Sequence, residues 1–119
     1  DLIFLAHCGP TGLGDRSSDI WGCDFAPERG DFGDEDLRQA VTHALTQGKR
    51  VRAVVAGHMH QQLKKGGLRQ MQLMQNGVHY LNAAVVPRIV MGENGRLLHH
   101  HLLLRFDGHQ LSVEEKIID

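Results

Sequence analysis

Apolar positions fall into unbroken runs in the first half of the chain and into interrupted, turn-bounded segments in the second. Leu2 to Ala6 is a short continuous run, expected as a buried strand. It stops at "HCGPTGLGDRSSDIWGCDFAPERGDFGD", a glycine-rich stretch with no sustained period. A loop of that length inside a domain is uncommon and is usually functional. Asp34 then reads as the N-cap of a helix over residues 35–47, with Leu37, Ala40, Val41, Ala44 and Leu45 on one face and Gly48 as the stop. "RVRAVVAG" follows as a second buried strand. Residues 1–57 therefore read strand, long loop, helix, strand, a crossover unit with parallel strands.

Beyond Gly57, "LRQMQLMQN", "VHYLNAAVV", "RIVMG", "RLLHHHLLLRF" and "HQLSVEEKII" are strand-like and separated by "NG", "ENG" and "DG" turn signals. This half is expected to be mostly antiparallel. The fold class is α/β, and residues 1–119 form one domain or part of one, without an internal repeat or linker.

Composition narrows the function classes. With 119 residues, 41% hydrophobic and 23% charged, the chain suffices for one modest core. Thirteen basic residues against fourteen acidic give a net charge of -1, so bulk electrostatics favours neither nucleic acid nor an anionic membrane. Apolar runs fall far short of the roughly 20 residues that span a bilayer. There is no basic-then-apolar leader, and two cysteines are too few for a disulfide scaffold. A soluble, cytoplasmic protein is expected. The apolar opening "DLIFLAH", without an initiator methionine, reads like the middle of a sheet, as in a fragment or processed piece.

Chemistry is suggested where strands end. His7 follows the first strand, and "GHMH" places His58 and His60 directly after the second. Parallel strands put their carboxyl ends on one edge, where ligands bind in open α/β sheets. Three histidines so placed can converge on zinc, iron or manganese, and Gly57 allows the tight turn that presents two of them.

"GHMH" after an apolar strand, "AHCGPTGLG", "GCDF", "GDFGDEDL" and "YLNAAVVPR" together resemble the calcineurin-like metallophosphoesterases, over nearly the whole chain. The resemblance implies a four-layer α/β/β/α sandwich, of which this chain would be the carboxyl-terminal half. It also implies a two-metal centre of divalent or trivalent ions (Mn, Fe or Zn), about 4 Å apart, that clamps a phosphoester for in-line attack. Residue by residue, His7 and His58 match ligands of the second metal and His60 a ligand of the first. The family's remaining ligands come from an Asp-x-His, a Gly-Asp-x-x-Asp and a Gly-Asn-His-Asp/Glu upstream of the lone histidine. No stretch of this chain is read as one of these motifs, and on this resemblance all of them are expected before Asp1. Two cations held by neutral histidines alone lack charge compensation, so the chain by itself is expected to bind metal weakly and catalyse little. The missing amino-terminal half, or another chain, would complete the site.

Gly9, Gly12, Arg16 and Asp24 in the long loop are candidates for substrate contact, with Asp19 beside them. Asn82 and Arg88 are candidates to support the site from a second sheet. Plainer readings compete. Met59 is expected to point into packing, Cys8 to act as a small buried hydrophobe, and Cys23 to be an ordinary loop thiol. His99 and His101 should share one face of a strand with His100 on the other. His43, His79 and His109 show no evident partner. Two other function classes remain open. One is a structural zinc module built from Cys8, Cys23, His58 and His60, disfavoured by the fifteen-residue cysteine spacing. The other is a subunit that completes a site with a partner chain through an open sheet edge.

Overall fold

In the computed structural model, which describes residues 1–108 and 110–119, strands β1 (Leu2–Leu5) and β2 (Val51–Ala56) run parallel, with Ile3 opposite Ala53 and Leu5 opposite Val55. Between them lie the long loop, a short 3-10 turn (Pro27–Arg29) and helix α1 (Glu35–Thr46). Strands β3 (Gln72–Gln75) and β4 (Val78–Asn82) complete a sheet of order β1-β2-β4-β3, in which β4 is parallel to β2 and antiparallel to β3. The β3–β4 hairpin closes through Asn76 and Gly77, both at positive φ (51° and 75°), the two-residue turn that "NG" signals.

The helix starts where its capping residue dictates. The Asp34 carboxylate accepts a hydrogen bond from the Leu37 N–H at 3.1 Å, and Glu35 and Asp36 place negative charge in the first turn. Gly48, at φ 72°, provides the left-handed stop. Leu37, Val41 and Ala44 are buried in a cluster with Ile20, Trp21, Val54 and Tyr80. Ala40 and Leu45 flank this stripe and remain exposed, so the buried face is narrower than the periodicity suggested. Replacing Asp34 with alanine should lower stability by about 1 kcal/mol. Urea unfolding checks this, and an unshifted midpoint would show that the cap contributes nothing.

One expectation is corrected here. β2 is buried along nearly its whole length, but β1 is not. Phe4 and Ala6 pack against the core, whereas Ile3 (45% exposed) and Leu5 (79% exposed) lie on the opposite face of the pleat. β1 is an edge strand, paired on one side only, and an unbroken apolar run does not reveal that position.

The chain divides into two units, Asp1–Ala84 and Val85–Asp119. The second is an antiparallel sheet of β5 (Ile89–Met91), β6 (Leu97–Asp107) and β7 (Gln110–Ile118), in the order β5-β6-β7. His99 and His101 stack on one face of β6 with ring centroids 6.5 Å apart. His100 projects from the other face, with Nε2 3.8 Å from a Glu115 carboxylate oxygen. His43 is exposed on α1, and His79, on β4, meets the Gln72 side chain at 3.1 Å. Burial lowers the pKa of His79. His109 lies outside the described residues. Among the described residues the architecture is mixed α/β, mostly strands with one α-helix. Among the described residues no helix is long and apolar enough to cross a membrane.

Candidate functional site

The strand ends that carry the histidines are tied together by their own backbones. Past the end of β1, the Ala6 N–H donates to Val55 O; past the end of β2, the Gly57 N–H donates to His7 O at 2.9 Å. The Ala83 N–H donates to Ala56 O at 2.7 Å, so the residues beyond β4 join the same edge. The carboxyl ends of three parallel strands therefore meet, as strand order alone requires.

His7 and His58 meet directly at that edge. His7 Nε2 lies 3.1 Å from His58 Nδ1, with ring centroids 4.8 Å apart. Two ring nitrogens at this separation must share a proton, since facing lone pairs repel. They also match neighbouring positions around one ion at metal–nitrogen distances of about 2.0–2.1 Å. His58 adopts φ 69°, a left-handed conformation rare for a residue with a Cβ. Met59 is buried (1% exposed) between the exposed His58 and His60, but the left-handed turn at His58, not strand alternation, turns its side chain inward. The Asn82 side-chain amide donates to Met59 O and Ile20 O, both at 2.8 Å, and its carbonyl oxygen accepts from the Ala84 N–H. Asn82 thus supports the histidine loop from the end of β4, in the same sheet and not a second one. Arg88 belongs to the 85–119 unit, where its carbonyl accepts from the His100 N–H.

After His60 the chain makes a small hairpin. Gln62 bridges Leu68, the Arg69 N–H donates to Gln61 O, and Lys64 to Gly67 form the tip. Arg69 then turns inward. Its side chain is fully buried and donates to the carbonyls of Ser17, Asp19, Gly22 and His60, and to the Asp24 carboxylate at 2.9 Å. The other Asp24 oxygen accepts the Lys64 N–H at 2.7 Å. Burial lowers the Arg69 pKa and the Asp24 charge opposes that shift. A single guanidinium therefore fastens the long loop to the His58–His60 segment. Nothing in "GGLRQ" distinguishes Arg69 from a surface arginine, and sequence reasoning missed it.

The loop residues proposed as substrate contacts are placed as follows. Asp24 lines a cleft of about 390 Å³ together with Phe25, His58, His60 and Lys64, although both its oxygens are engaged. Arg16 closes a turn with Asp19, whose carboxylate accepts the Arg16 N–H at 2.9 Å. The Gly12 N–H donates to Asp31. Gly9 lies under Trp21, where a Cβ would come within 1.9 Å of the indole ring. Gly30 to Asp34, "GDFGD", have Gly-Asp-x-x-Asp spacing downstream of His7. Both aspartates serve the local fold: Asp31 accepts from the Gly12 and Gly33 N–H groups, and Asp34 caps α1.

Among the described residues no three His, Cys, Asp or Glu side chains converge as a metal-binding group. His7 and His58 form a pair that fits one ion, and His60 shares the cleft with His58 without joining the pair. Cys8, Cys23, His58 and His60 do not form such a group either. Cys23 is buried, the Cys8 thiol donates to Phe32 O at 3.8 Å, and burial raises the Cys8 pKa. Compared with family models, curated proteins and solved structures, the chain has no significant match.

Proposed function

We propose that the 1–84 unit supplies the histidine side of a dinuclear metal centre in a metal-dependent phosphoester hydrolase. The remaining carboxylate ligands would come from outside these residues, and the α/β/β/α sandwich would be completed with them. The observation that carries this reading is the His7–His58 contact across two parallel strand ends, fifty-one residues apart in sequence. His7 and His58 would hold one ion, and His60, separate from the pair on the cleft wall, would hold the other. Bound metal would supply Lewis-acid stabilisation of charge on the phosphoryl group. The protein's part is positional. The ladder bond from Gly57 to His7 O fixes the two histidine-bearing turns, while Asn82 and Arg69 hold the carbonyls of Met59 and His60.

Two neutral imidazoles leave the charge of a divalent ion uncompensated, so the isolated chain should bind weakly and turn over little. Calorimetric titration with zinc or manganese tests the ligand assignment. His7→Ala and His58→Ala should each weaken binding at least about tenfold, since even an outer-shell change typically costs about 10–100-fold. Equal affinity in both variants and the parent chain would exclude the pair as ligands. In a protein that supplies the missing carboxylates, His60→Ala should abolish most hydrolysis of a generic aryl phosphate.

A further inference from the structure

The cleft beside the histidines has a wall that metal binding does not explain. Phe25 is 48% exposed, yet its ring is fixed, with Phe32 at 5.8 Å and His58 edge-on at 6.4 Å between centroids. A half-exposed phenylalanine held among aromatic neighbours is a preformed surface for another flat ring. Lys64 lies on the same cleft, its backbone anchored by Asp24, which the buried Arg69 in turn fixes. Among the described residues the Lys64 ammonium has no carboxylate partner, and the nearby Asp24 charge is offset by Arg69. The cleft, about 390 Å³, is within the size range of small-molecule sites and holds a phosphate together with a ring.

We infer that this cleft selects phosphoesters whose leaving group carries an aromatic ring, with Phe25 as the platform for the ring and Lys64 as a contact for the phosphate. The inference rests on the phosphoesterase reading for the role of His58 and His60 and adds the class of substrate. Lys64 is a point charge on a flexible stem, suited to a phosphate oxygen whose position the histidine-held ions would set. An aliphatic ester would leave the Phe25 surface in water and gain nothing from it.

Phenyl phosphate, glycerol 2-phosphate and inorganic phosphate, titrated into the zinc-loaded 119-residue chain and followed by NMR shifts, test the idea. Phenyl phosphate should bind about three- to tenfold more tightly than glycerol 2-phosphate. Phe25→Leu should erase that difference, and Phe25→Trp should keep it. Lys64→Gln should weaken all three ligands about tenfold. Equal affinity for the two esters, a preference that survives Phe25→Leu, or no binding of any ester would overturn the inference. The underlying reading fails separately, if zinc binding does not depend on His7 and His58. A Phe25-dependent preference without that zinc dependence would keep the aromatic subsite and discard the metal centre.

Discussion

Replacing Arg69 with methionine should destabilise the 1–84 unit by about 3–5 kcal/mol, the range for removing one partner of a buried ion pair. The stem of the side chain is retained, so the loss is polar. Among the described residues Asp24 keeps its charge with the Lys64 N–H as its remaining donor, and four carbonyls lose the Arg69 donor. Two of the exposed sites depend on the same anchor. His60 is held through its carbonyl, and Lys64 through Asp24. Urea unfolding with circular dichroism measures the stability change. Arg69→Lys should recover only part of it, because an ammonium cannot reach five acceptors in a planar fork. A methionine variant as stable as the parent would show that the loop is held by packing alone.

Trp21→Ala should cost about 3–5 kcal/mol, as for other large aromatic side chains removed from a core. Trp21 is fully buried, meets Tyr80 edge-on at 6.2 Å, and covers Gly9 closely enough to exclude a Cβ there. Gly9→Ala should therefore also destabilise, by about 1–3 kcal/mol through overpacking. The two changes should not add. Once the indole is gone the alanine methyl has room, so the double variant should be more stable than the sum of the single effects implies. Strict additivity in thermal or urea melts would show that Gly9 and Trp21 do not compete for the same space. Gly9, two residues after His7, would then need a reason other than packing.

Periodicity and the parallel pairing of the first two strands were legible in the sequence because they follow from local pattern and a crossover connection, whereas the place of β4 beside β2 was not. The helix cap at Asp34, the hairpin at Asn76-Gly77 and the convergence of His7 with His58 follow from capping chemistry, turn geometry and parallel strand ends. What did not show was whatever depends on distant partners. The run "LIFL" has the same letters on an edge as in the middle of a sheet, and only pairing decides its exposure. Asp24 was recognised as belonging near the site, but its neutralisation by an arginine forty-five residues away was not readable. The glycine-rich loop, read as letting substrate approach closely, also packs on itself at some glycines. A Cβ on Gly22 would come within 1.8 Å of Arg16 O, whereas one on Gly12 would meet open space.

The left-handed backbone at His58 sets folding and chemistry against each other at a single residue. Glycine would adopt φ 69° without steric penalty, whereas a residue with a Cβ carries a cost of about 1–3 kcal/mol that its surroundings must offset. The side chain that brings this cost also makes the contacts with His7 and Phe25. Selection for stability alone would drive position 58 toward glycine and empty one wall of the cleft. The imidazole is retained at the expense of backbone ease, which makes position 58 a place where a gain in stability would come with a loss of binding chemistry.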